Sequence, residues 1–125
     1  MYSMAPGSPL SVSLINIVAN PKKYEDQHIQ VYGYLSDSAG SLHLFISKDS
    51  ASVLDFASSV YVEDIAVDGK YISDICSGYN ARLQGDLLYI QEDRNISGYY
   101  EIVNLKRISI FDEKNESTDC WKSDT

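Results

Sequence analysis

Apolar and polar residues alternate with a period of two from His28 to Leu35. Ile29, Val31 and Leu35 share one phase, while Gln30, Tyr32 and Tyr34 take the other. That alternation predicts a half-buried strand. Gly33 falls on the inward phase, where a missing side chain lets a strand coil sharply or bulge. The pattern returns in Ala81-Arg-Leu-Gln-Gly85-Asp-Leu87. Two strands that each kink at an inward glycine suit a small, strongly coiled barrel better than a flat sheet.

The remaining chain divides around these two strands. Ser11 or Ser13 can cap a short helix whose broad apolar face is Leu14, Ile15, Ile17 and Val18. Pro21 bars the helical conformation at Asn20, so this helix stops there, and a further turn brings Tyr24 back onto the core. Leu42–Ser47 predicts the second strand, with Leu42, Leu44 and Ile46 inward and His43 and Phe45 outward. Asp49 is placed to cap a helical piece through Phe56, and Ser59–Glu63 reads as the third strand. Ile72, Ile75 and Cys76 then fall on one helix face, with Gly78 positioned as the C′ residue. Tyr79–Ile90 and Tyr99–Phe111 predict the last two strands. In the second of them the apolar phase slips between Leu105 and Ile108, which predicts a bulge near Lys106-Arg107. Residues 1–10 read as a flexible arm and 11–111 as the barrel domain. Residues 112–125 read as a polar, mobile tail from which Trp121 docks back.

Helix, three strands, helix and two strands is the layout of the OB-fold, a Greek-key barrel. The predicted fold class is therefore mainly β: a five-stranded OB-like barrel with a short N-terminal helix and a helix between strands three and four. Asn20-Pro21-x-x-Tyr24, Ile29-x-Val31-x-Gly33-Tyr34 and Leu42-x-Leu44 resemble a group of small bacterial OB-like proteins. In that group a short helix ends in an Asn-Pro turn and runs into the first barrel strand. The resemblance covers the first half of the chain better than the Gly85 strand. The group commonly carries a glycine before the first strand, where this chain has Asp26-Gln27. The resemblance implies a fold and a non-enzymatic role, because no catalytic residues are established for the group.

Composition narrows the partners. A hydrophobic fraction of 44% over 125 residues fits one globular domain. Ten basic against eighteen acidic residues give a formal charge of −8, which repels nucleic acid and attracts a basic protein. Two cysteines, Cys76 and Cys120, do not make a disulfide framework, and free thiols are the expectation over a single bridge. No apolar run reaches the length of a membrane span, and Met1–Pro9 lacks the regions of a signal peptide. The expected compartment is the cytoplasm, or the periplasm if a leader has been removed.

Candidate chemistry is sparse. Only His28 and His43 could serve as histidine bases, no nucleophile or phosphate-loop motif accompanies them, and His43 reads as an exposed surface histidine. Neither an enzyme nor a cofactor is expected. Asp93-Arg-Asn95-Ile-Ser97-Gly98 opens like a calcium loop, but its twelfth position is Asn104 where a bidentate glutamate belongs. A hairpin turn without metal is the expectation. The informative set is Tyr32, Tyr34, His43, Phe45 and Tyr61, which project from one side of the first three strands if these pair in register, with Glu63 at their edge. OB-folds commonly bind ligands there. Glu63, Asp37 and Asp49 against Lys48 is the wrong charge balance for a phosphate-tracking groove. The pairs Lys22-Lys23 and Lys106-Arg107 read as solvated charges. The expected function is a non-enzymatic domain that binds a basic protein, one concrete form being an immunity protein or inhibitor that neutralises a bacterial toxin. The alternatives are an OB domain for single-stranded nucleic acid or oligosaccharide, and a homodimer that buries the aromatic face.

Overall fold

The computed structural model describes residues 8–38, 40–91 and 98–123. Its five principal strands are β2 (His28–Ser36), β3 (His43–Phe45), β4 (Ser59–Val62), β7 (Tyr79–Ile90) and β8 (Tyr99–Phe111). β2 pairs antiparallel with both β3 and β7. β3 pairs antiparallel with β4, β4 runs parallel to β8, and β8 pairs antiparallel with β7. The ring is thereby closed, a mixed five-stranded barrel compatible with an OB-like layout. Short additions surround it: β1 (Leu10–Ser11) parallel to β2, and a two-stranded ribbon of β5 (Ala66–Val67) and β6 (Lys70–Tyr71).

Closure depends on the two inward glycines. A Cβ at Gly33 would stand 2.6 Å from the Phe45 carbonyl oxygen and 2.8 Å from Leu44 Cγ. One at Gly85 would stand 2.8 Å from the Val103 carbonyl oxygen. Neither contact is possible for a real side chain, so both positions need a bare Cα to let strands pass at the bend. Gly33 and Gly85 share the long strand pair on which the barrel turns, Ile29 facing Gly85 and Gly33 facing Ala81. The interior then fills with Ile29, Val31, Leu35, Leu44, Leu83, Leu87, Ile102 and Ile108, all buried.

The bulge lies slightly earlier than the apolar slip suggests. Gln84 faces Arg107 and Asp86 faces Val103, which leaves Gly85 opposite Asn104, Leu105 and Lys106. Asn104 adopts φ +51°, the left-handed region in which asparagine is among the tolerated residues. A polar chain holds it there. Its N–H donates to Glu63 Oε1 at 3.3 Å, and its Nδ2 donates to Asp86 Oδ2 at 3.0 Å.

The helices follow their caps. α1 (Leu14–Ala19) starts at Ser13, whose Oγ accepts from the Asn16 N–H, and it ends before Pro21. Leu14 and Ile17 enter the core, but Ile15 is exposed, because so short a helix buries one narrow stripe. A 3₁₀ turn at Pro21–Tyr24 packs Tyr24 against the core. α2 (Lys48–Ser52) is capped by Ser47 and not by Asp49: Ser47 Oγ accepts from the Ser50 N–H at 3.1 Å. A second 3₁₀ turn, Phe56–Ser58, delivers the chain to β4. α3 (Ile72–Cys76) buries Ile72 and Cys76 and is followed by Gly78 at φ +87°.

Two expectations are overturned at the C-terminal end. Ser117–Lys122, read as mobile tail, is the strand β9, paired antiparallel with β8. Arg107 Nε and Ser109 Oγ both donate to Asp119 Oδ1, at 2.8 and 3.0 Å, and the Asp119 carboxyl is held below its ordinary range by these bonds. Cys76 and Cys120, read as free thiols, form a disulfide that staples α3 to β9. Their separation of 44 residues hides the contact from a linear reading. Trp121 packs against the core. At the other end Leu10 belongs to β1, while residues 1–7 of the expected arm lie outside the described residues.

Gly33→Ala is expected to lose about 1–3 kcal/mol or more, read as a lower urea midpoint, because the neighbour it strikes is backbone. Reducing the disulfide is expected to lose up to roughly 4 kcal/mol by loop-closure entropy. An unchanged urea midpoint after full reduction would show that β9 holds without its staple.

Candidate functional site

β3 is buried on both faces. Leu42 and Leu44 point into the barrel as the alternation predicts, but His43 and Phe45 are only 2% and 1% exposed. The segment carrying α2 and the 56–58 turn folds back over the outer side. There the Phe56 ring lies 5.1 Å from His43 and 6.2 Å from Phe45, centroid to centroid. Tyr61, opposite His43 on β4, closes the set at 4.3 Å. Alternation separates two faces of a strand but cannot say that a later segment covers the second. Ile46, expected inward, is exposed because β3 ends at Phe45.

The six residues expected to form one surface therefore separate. His43, Phe45 and Tyr61 come together, and Tyr34, half-buried, is the cross-strand neighbour of Phe45. Tyr32 lies apart. It is exposed on the portion of β2 paired with β7, facing Arg82 across the ladder and meeting the Phe111 ring edge-on at 5.5 Å. Glu63 is engaged with the Asn104 bulge and takes no part in the aromatic cluster.

Beside the cluster opens a cavity of about 190 Å3. Ile17, Val18 and Pro21 line it from the α1 side, and Val60, Tyr61 and Tyr99 from the barrel side. His43, Phe56 and Tyr100 also reach its wall. Tyr99 stacks toward Tyr61 at 4.6 Å, and the Tyr100 hydroxyl donates to Glu25 Oε1 at 3.0 Å. Burial, and then that bond and the Glu25 charge, push the Tyr100 phenol above its usual value. Phe56, Tyr99 and Tyr100 join the wall without being expected from the sequence. The topology held the signal for the last two, since an OB layout runs its third strand alongside its fifth and so brings Tyr61 to the start of β8.

His43 is the one functional-looking group in this wall. Its Nδ1 lies 3.1 Å from the Ser41 carbonyl oxygen, which can only accept, so Nδ1 carries the proton and Nε2 bears the lone pair. Nε2 is buried without a partner among the described residues. Burial pushes the imidazole below its ordinary 6.5, against a smaller upward pull from the Ser41 bond. The neutral ring is therefore the resident form.

His28 is fully engaged. Gln84 Nε2 donates to its Nε2 at 3.0 Å, which leaves Nδ1 to donate to Asp86 Oδ1 at 2.8 Å. This pair ties the start of β2 to the β7–β8 bulge, and no serine or cysteine stands in hydrogen-bond contact with it among the described residues. The segment expected as a hairpin turn resembling a calcium loop lies outside the described residues except for Gly98. Among the described residues no group of three His, Cys, Asp or Glu side chains could hold a metal ion. Comparison with family models, curated proteins and solved structures finds no match to this chain.

The depressed His43 pKa sets a direction for stability against pH. The unfolded chain takes up the proton first as pH falls, so stability declines below the ordinary histidine value of 6.5 and continues to decline until the folded-state value is passed. Urea midpoints measured across that range should fall for the wild type and fall less for His43→Phe. Equal slopes in the two proteins would show that His43 is not buried as a neutral ring.

Proposed function

We propose that this chain is an OB-like barrel that acts as a non-enzymatic binding domain for a protein partner. The observation that carries the reading is an apolar ridge on the segment covering β3. Val53 is 74% exposed and Phe56 49%, with Leu54 and Ile46 also exposed. Leu54 is held at φ +53°, so this ridge is presented by a constrained turn. Apolar residues concentrated in this way mark interaction sites more often than isolated ones do. Phe56 belongs both to the ring cluster with His43 and Phe45 and to the wall of the cavity, an arrangement that suits aromatic anchoring at an interface.

A formal charge of −8 supports a basic partner, attracted over a distance before the apolar contacts form. An immunity or inhibitor role against a bacterial toxin is the concrete form we favour. The Cys76–Cys120 bridge supports an oxidising compartment over the reducing cytoplasm. Among the described residues no helix is long and apolar enough to cross a membrane.

The product of the adjacent coding sequence is the partner to test. Binding should show an on-rate that falls as salt is added, and Phe56→Ala or Val53→Asp should weaken it by about 1–2 kcal/mol. Unchanged affinity in both variants would remove the ridge from the interface. A labelled single-stranded oligonucleotide at low salt separates the other OB use: tight binding that collapses with salt would replace the protein partner by nucleic acid.

A further inference from the structure

The cavity beside His43 presents a defined chemical demand. Its walls are mainly aliphatic and aromatic, the Ser59 hydroxyl among them already donates to the Phe56 carbonyl at 2.9 Å, and no carboxylate, lysine or arginine lines it. A charged guest would lose its hydration there without a counter-charge, which is prohibitive for a buried ion. At about 190 Å3 it is smaller than the pockets that hold drug-sized ligands, and it fits one ring-sized group. A sugar would bring several hydroxyls to a wall that is mostly carbon. Against this apolar lining stands one polar atom in need: His43 Nε2, a lone pair buried without a donor among the described residues. Such an atom is costly to leave unpaired, and in a native protein it requires a reason.

We infer that this cavity is a binding site for a neutral p-hydroxyphenyl group, whose ring packs among Tyr61, Tyr99 and Val60 and whose hydroxyl donates to His43 Nε2. The ring satisfies the aromatic wall by edge and offset contacts. The hydroxyl supplies the donor that the imidazole lacks. Phe56, on a short turn, is the most exposed ring of the His43 cluster, and its displacement would admit the hydroxyl to Nε2. The site does not depend on the protein-partner reading, because the same group occurs on free phenols and on tyrosine side chains.

The test uses isotope-labelled full-length protein titrated with p-cresol, toluene and N-acetyltyrosinamide, observed by nuclear magnetic resonance. p-Cresol should shift the Ile17 and Val60 methyl signals saturably and move the His43 Nε2 nitrogen resonance in the sense of an accepted hydrogen bond. Toluene should bind about threefold or more weakly, the worth of one such bond. His43→Phe should bind the two probes alike, and the Nε2 resonance of the wild type decides the point should that variant not fold. N-acetyltyrosinamide binding with the same signature assigns the site to a tyrosine of a peptide. Its exclusion while p-cresol binds assigns it to a free phenol. The inference is overturned if no probe binds saturably, if toluene binds as tightly as p-cresol, or if the methyl signals move while Nε2 does not.

Discussion

Five strands close into so small a ring only if the strands can bend where they change partners. The bend requires that backbones approach more closely than any side chain permits, and Gly33 and Gly85 meet that requirement against the carbonyls of Phe45 and Val103. Placed in one strand pair, these two positions let β2 serve β1, β3 and β7, and let β7 slide past a three-residue bulge in β8. The polar chain from Glu63 through Asn104 and Asp86 to His28 keeps the bulge from relaxing. Glycine provides the space and the hydrogen bonds determine how it is used.

Closure has consequences for recognition. A ring that brings β4 alongside β8 carries Tyr61 to Tyr99 and opens a cavity against α1. The connection between β3 and β4 must then cross the outside of the sheet, and in doing so it buries His43 and Phe45 and presents its own apolar residues in their place. The exposed apolar residues on this side therefore belong to the covering segment, and the strand beneath it is buried support. The disulfide joins α3 to β9, so the C-terminal strand is held to the barrel by a covalent link as well as by its ladder with β8.

How far the sequence could be read depended on whether the deciding contact was local. The period-two runs at 28–35 and 81–87, the serine before α1, Asn20-Pro21 and Gly78 each act within a few residues, and the corresponding elements stand where those residues place them. The strand limits Tyr79–Ile90 and Tyr99–Phe111 likewise follow from local punctuation. What failed was long-range. Outward phase alone points His43 and Phe45 to solvent, although the later turn carrying Phe56 lies over them. Polar composition suggests mobility at 117–122, although Trp121 and Thr118 there pair with Ile108 and Ile110 across a ladder. Two cysteines carry no pairing signal in their number, because a count does not report which parts of a chain meet.

Closure of the barrel rests on the parallel ladder between β4 and β8, and nuclear Overhauser contacts between these strands test it most directly. A closed ring requires inter-strand cross-peaks linking Tyr61 with Glu101 and Val62 with Ile102, in the staggered pattern of parallel strands. Absence of those contacts, with the β7–β8 hairpin intact, would mean an open sheet. Tyr61 and Tyr99 would then no longer face each other, and the cavity beside His43 would not exist.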